Sequence, residues 1–165
     1  MKEILSHLIE ALREELKQYG ELLALLDQQQ HLVMHRHTAS LPDSASSVNA
    51  QADILRGARH EREQRQRNLA RRIELPEDAN FKMLLPKIPA DYQPLVEALV
   101  EENNELLARV QARARQNHLL LSHCVDLMAQ FMASIFPTTK PVTYNVNGHA
   151  PTVNIPAESL YHAVG

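Results

Sequence analysis

His31, His35 and His37 stand close together, and His31 and His35, four residues apart, would share one face of a helix, the way helices present two imidazoles to a metal. The sequence has no His-Glu-x-x-His. These residues read as solvated histidines near a helix C-terminus, where the helix dipole favours imidazolium. A second group is the run Arg59-His60-Glu61-Arg62-Glu63-Gln64-Arg65-Gln66-Arg67 with Arg71 and Arg72, the one strongly basic stretch and the one that would track a phosphate backbone. Glu61 and Glu63 interrupt it, and it lacks aromatics for base stacking. Pairs four residues apart, Glu61 with Arg65 and Glu63 with Arg67, predict a self-neutralised helical face. Glu101-Glu102 and His123-Cys124 bring acid, imidazole and thiol side by side, but adjacent residues on a helix point in different directions. No glycine-rich loop cradles a phosphate. The sequence therefore predicts no catalytic residue, no metal site and no cofactor, with nucleic-acid binding left as a minor alternative.

The composition says what kind of scaffold these side chains sit on. In 165 residues there are no Trp, three Phe, four Tyr and four Gly, fewer aromatics and turn residues than a compact domain of this size carries. Leu, Ala, Glu, Gln and Arg prevail, the residues that lose least rotamer freedom in a helix. A formal charge of -3 gives no whole-chain attraction to nucleic acid or to an anionic membrane. Cys124 is the sole cysteine, which excludes an intrachain disulfide and fits a reducing compartment. Glu3 and Glu10 interrupt the start of the chain, so it does not read as a secretory signal, and no run approaches the ~20 apolar residues of a membrane span. The expectation is a cytoplasmic protein without membrane insertion.

Periodicity then divides the chain. Leu5, Leu8, Leu12, Leu16, Tyr19, Leu23, Leu26 and Val33 recur at spacings of three and four, predicting a first helix to about His37. Gly20 inside it costs roughly 1 kcal/mol against alanine. Thr38 to Ser44, with Pro42, predict a loop. A second helix is expected from between Ser44 and Ser47 to about Ile73, with Val48, Ala52, Leu55, Leu69 and Ile73 on one face. That face turns polar at Arg59, Arg62 and Gln66, so the helix is only half committed to a core. Pro76, Pro86, Pro89 and Pro94 punctuate a connector whose Phe81, Met83, Leu84 and Leu85 are expected to cap one end of a bundle. A third helix begins near Asp91 and meets neither Gly nor Pro from Leu95 to Phe136.

The stripe on that third helix, Leu99, Asn103, Leu106, Val110, Ala114, Asn117, Leu121, Val125, Met128, Met132 and Ile135, resembles a coiled-coil seam. The predicted fold is all-α: an elongated antiparallel bundle of three main helices with coiled-coil-like packing and a mostly irregular C-terminal tail. The helical domain takes 1–137 and a flexible tail 138–165, in which Asn147-Gly148 between β-branched residues reads as a short hairpin. Toward its C-terminal end the third helix is apolar around much of its circumference. Leu119, Leu121, Val125, Met128, Phe131, Met132 and Ile135 are the candidate contact residues, with Met128 and Met132 beside Phe131 giving an adaptable surface for an amphipathic partner helix. Burial of this stripe by the first helix, or by a second copy in a homo-oligomer, is the competing reading.

The order of elements resembles the FlgN-type flagellar export chaperones. The likeness lies in Leu12-x3-Leu16-x2-Tyr19-x2-Leu22-Leu23-x-Leu25-Leu26, in the arginine-rich second helix and proline-bearing link, and in Glu102-Asn103-Asn104-Glu105-Leu106-Leu107 and Gln116-Asn117-His118-Leu119-Leu120. It continues in the tail, Thr143-Tyr144-Asn145-Val146-Asn147-Gly148. The resemblance implies a cytoplasmic chaperone that binds the amphipathic terminal segment of hook-associated proteins, prevents their premature assembly and delivers them to the export gate. By position, Tyr144 corresponds to a tyrosine that such chaperones use to dock on the gate's cytoplasmic domain; half of a local hairpin pair is its other reading. The segment from His149 to Gly165 extends beyond shorter members. Outside the resemblance, a structural coiled-coil subunit remains open.

Overall fold

The computed structural model describes residues 2–135. Helix α1 spans Lys2–Met34, α2 Leu41–Arg72, the single turn α3 Phe81–Leu84, and α4 Gln93–Ile135. Tight 3-10 turns at Thr38–Ser40, Leu85–Lys87 and Ala90–Tyr92 join them. No strand occurs among the described residues, so the all-α expectation holds. The tail from 138 onward, where a short hairpin was expected, lies outside them.

Consecutive long helices run antiparallel. Arg62 of α2 donates from Nε to Glu15 Oε2 of α1 at 2.9 Å, and Gln51 Nε2 donates to Gln18 Oε1 at 2.6 Å, so α2 descends as α1 rises. α4 then runs parallel to α1. Asn103 reaches the Leu12 carbonyl and Asn117 the Leu26 carbonyl, each across the same 91 positions. The result is an up, down, up bundle with coiled-coil-like registry between α1 and α4.

The apolar core gathers toward one end. Leu5, Leu8, Ile9 and Leu12 of α1 meet Leu69 and Ala70 of α2, Ala79, Leu84 and Ile88 of the connector, and Val96 and Leu99 of α4. Phe81 and Leu85 pack against this cluster, so the connector does close the bundle. Met83, expected to share in it, is exposed. The short α3 turn is started by Asn80, whose side chain accepts from the Met83 amide at 3.1 Å.

Helix ends depart modestly from the periodicity. α2 begins at Leu41, earlier than expected, because Pro42 falls in the first turn, where the N–H it lacks would have no helical partner. α1 and α2 both stop in the same way, with a left-handed residue that is not glycine, Arg36 at φ 57° and Glu74 at φ 56°. His37 N–H donates to Leu32 O at 2.9 Å and Leu75 N–H to Ala70 O at 2.9 Å, the six-to-one bond that satisfies a terminal carbonyl.

The polar face of α2 also finds a partner. Glu15 and Arg62 are both buried. Tyr19 Oη donates to Glu15 Oε1 at 3.3 Å, Arg62 Nη1 to Gln66 Oε1 at 2.8 Å, and Gln66 Nε2 to the Ala79 carbonyl at 2.8 Å. The chain of bonds ties α1, α2 and connector together. Burial and then the neighbouring Glu15 carboxylate hold the Tyr19 phenol well above its usual range, so it is a neutral donor. Compact packing divides the chain into two units, Met1–Leu121 and Ser122–Gly165.

Candidate binding surface on the long helix

α4 meets no proline after Pro94, which lies in its first turn, and no glycine, so the helix continues to Ile135. Over its N-terminal turns a single face is buried: Val96, Leu99, Asn103, Leu107, Val110 and Asn117. Leu107 takes the deeply buried place that the periodicity gave to Leu106, which is half-buried together with Ala114. Asn103 and Asn117 are two of the buried seam residues, and their bonding explains why amides sit there. Asn103 Nδ2 donates to Leu12 O at 3.1 Å and to Leu99 O at 2.8 Å. Asn117 Nδ2 donates to Leu26 O at 2.7 Å and to Gln29 Oε1 at 3.1 Å. Carbonyl acceptors on both hydrogens fix each amide's orientation. The cost is that Oδ1 of each is buried without a hydrogen-bond partner. The sequence showed both asparagines in the stripe but not their acceptors.

The C-terminal turns of α4 differ. Leu119 is 68% exposed, and Leu121 is half-buried. In the second unit Val125 (64%), Met128 (60%), Phe131 (63%) and Met132 (55%) are exposed, as is Leu127. The spacing 125, 128, 132 keeps three of them on one helical face, and Leu127 and Phe131, four apart, widen it. Other exposed large apolar residues, Met34, Ile54, Met83 and Leu95, are scattered singly along the chain, which is ordinary for any protein surface. A contiguous apolar stretch with two methionines and a phenylalanine is not ordinary, and such a face suits an amphipathic helix. The side chain of Ile135 and the whole of Tyr144 lie outside the described residues.

The remaining candidates are arranged differently from a reactive centre. His31 and His35 are exposed, their rings 3.9 Å apart, with His35 Nδ1 2.9 Å from the His31 carbonyl. No group of three potential metal ligands occurs among the described residues. The arginine run is taken up by carboxylates. Arg65 lies 2.6 Å from Glu61, Arg59 3.2 Å and Arg67 3.9 Å from Glu63, Arg71 2.8 Å from Glu77, and Arg62 is buried on Glu15. The pairs expected from i, i+4 spacing are thus present. The Glu15–Arg62 pair was missed, although a glutamate inside the α1 stripe opposite an arginine inside the α2 stripe is the signal that would have found it. No helix among the described residues is long and apolar enough to cross a membrane.

A family model described as FlgN protein matches residues 1–152. No curated protein and no solved structure matches the chain.

Proposed function

The chain belongs to the FlgN family of flagellar export chaperones, and on that premise we propose that it binds the amphipathic terminal segment of hook-associated proteins in the cytoplasm, using α4 from Leu119 to Ile135. The single observation that carries this reading is the exposure of Val125, Leu127, Met128, Phe131 and Met132 on one helix. An export client is disordered before assembly, and its apolar face folds onto α4, which hides the surface that would otherwise polymerise. Ordering the client consumes some of the interaction energy, so affinity stays moderate and release at the export gate stays easy. Met128 and Met132 supply the adaptability to follow the client's side chains.

Binding of a synthetic hook-associated terminal peptide, measured by calorimetry, tests the reading. Met128→Asp with Met132→Asp should weaken it by about 100-fold or more, since central apolar anchors carry most interface energy. Circular dichroism and Tm should stay as in the parent chain. Retained affinity, or loss of helicity or of a homodimer in the variant, contradicts the proposal and favours a structural role for the stripe. Tyr144 is the proposed contact with the gate: Tyr144→Ala should abolish pull-down of the gate's cytoplasmic domain and leave client affinity unchanged.

A further inference from the structure

The stripe that α1 offers to α4 repeats. Leu5, Leu12, Tyr19 and Leu26 recur every seven residues on α1, Val96, Asn103, Val110 and Asn117 recur every seven on α4, and all eight are buried. Asn103 and Asn117 each bond to a carbonyl 91 positions earlier, of Leu12 and of Leu26. At that offset Val110 stands level with Tyr19. Moved one heptad along α1 it would stand level with Leu12 or with Leu26, so apolar contact alone does not choose among the three registers.

Stability does not account for the two amides. The Leu12 and Leu26 carbonyls lie inside α1, where the helical N–H four residues on already bonds to them, so neither needs a side-chain donor. Each asparagine also keeps a buried Oδ1 without a partner, a cost that leucine, branched at the same atom, would not carry.

The polar residues around Asn117 do choose a register. Its Nδ2 also donates to Gln29 Oε1 at 3.1 Å, Arg113 Nε lies 2.7 Å from Asp27 Oδ1, and Arg113 Nη1 donates to Gln30 Oε1. One heptad back along α1, the places of Asp27, Gln29 and Gln30 are held by Gly20, Leu22 and Leu23, none of which has a side-chain acceptor. One heptad on they are held by Met34, Arg36 and His37, of which only Met34 still belongs to α1. In either shifted register Arg113 loses its carboxylate. Asn117 exchanges Gln29 for a leucine or an arginine, neither of which accepts its second hydrogen.

We propose that Asn103, Arg113 and Asn117 set the register of α4 on α1, a specificity function kept at a cost in stability. Asn103 and Asn117 restrict the seam to whole-heptad positions, because a slip of one residue takes both amides off their carbonyls together. Arg113 and Asn117 then select one heptad through Asp27, Gln29 and Gln30.

Double electron–electron resonance on the full-length chain tests this. In a Cys124→Ser background, spin labels at Glu3→Cys and Ala112→Cys, both exposed positions, report the axial placement of α4 on α1. Labelled chain is diluted into excess unlabelled chain, so that only distances within one molecule are read. The parent should give one distance. Asn103→Leu with Arg113→Leu and Asn117→Leu should keep its helicity and a Tm at or above the parent's, yet show a second distance displaced by about 10 Å, the rise of seven residues. Gln29→Leu, which removes the discriminating acceptor from the α1 side, should produce the same second distance with both asparagines in place. A single unchanged distance in either variant overturns the proposal. So does a triple variant that melts well below the parent or loses helicity, because the three residues would then serve stability.

Discussion

Two stretches of α4 use leucine and valine to opposite ends. From Val96 to Asn117 its seam is buried against the bundle, and even its amides are bonded to the α1 carbonyls. From Leu119 to Met132 its apolar side chains stand largely in water. Leucine and valine occur in both stretches, and the second adds Met128, Phe131 and Met132, residue types that the first lacks. What distinguishes them is burial: the first is closed against α1, while Val125, Met128, Phe131 and Met132 of the second are each more than half exposed. At the 91-residue offset of α1 and α4, Leu121 stands level with Gln30, and α1 ends at Met34.

Substitutions should separate the two stretches cleanly by their effect on stability. The largest effect is expected in the bundle's buried ion pair. Glu15→Ala leaves the Arg62 guanidinium buried with no carboxylate and should destabilise by about 3–5 kcal/mol in urea unfolding. Replacing both residues by leucine or methionine should recover most of that loss, because the cost comes from the stranded charge. If the single variant costs nothing, the pair is not buried in solution as described. Next, Leu99→Ala removes a residue of the apolar cluster and should cost about 2–5 kcal/mol, depending on how far the cavity collapses. Smallest, Met128→Ala should change stability by no more than about 0.5 kcal/mol, the usual range for an exposed position. A Met128 effect as large as that of Leu99 would erase the distinction between the two stretches.

Much of this was legible in the sequence, for reasons that particular residues make clear. The long third helix follows from the absence of Gly and Pro between Leu95 and Phe136, a property that needs no tertiary knowledge. The capping role of the connector followed from Leu84 and Leu85, yet Met83 between Lys82 and Leu84 faces solvent, because a single helical turn can bury only some of an apolar run. Leu107 and Leu106 are neighbours of the same type, and three-and-four spacing cannot choose between them; only the position of α1 does. Arg62 showed its polarity but not its partner, since the matching Glu15 is 47 residues away and nothing local connects the two. The exposed stripe was visible as excess hydrophobicity. Its exposure was not, because exposure depends on which neighbours pack on a helix face, and sequence spacing leaves that free.

The measurement that bears most directly on client binding by α4 is hydrogen exchange of the full-length chain with and without the synthetic hook-associated peptide, resolved along that helix. Peptide binding should strongly protect the amides from Val125 to Met132 and leave those around Leu99 unchanged. Protection confined to other helices, with Val125 to Met132 exchanging as in the free chain, would contradict it.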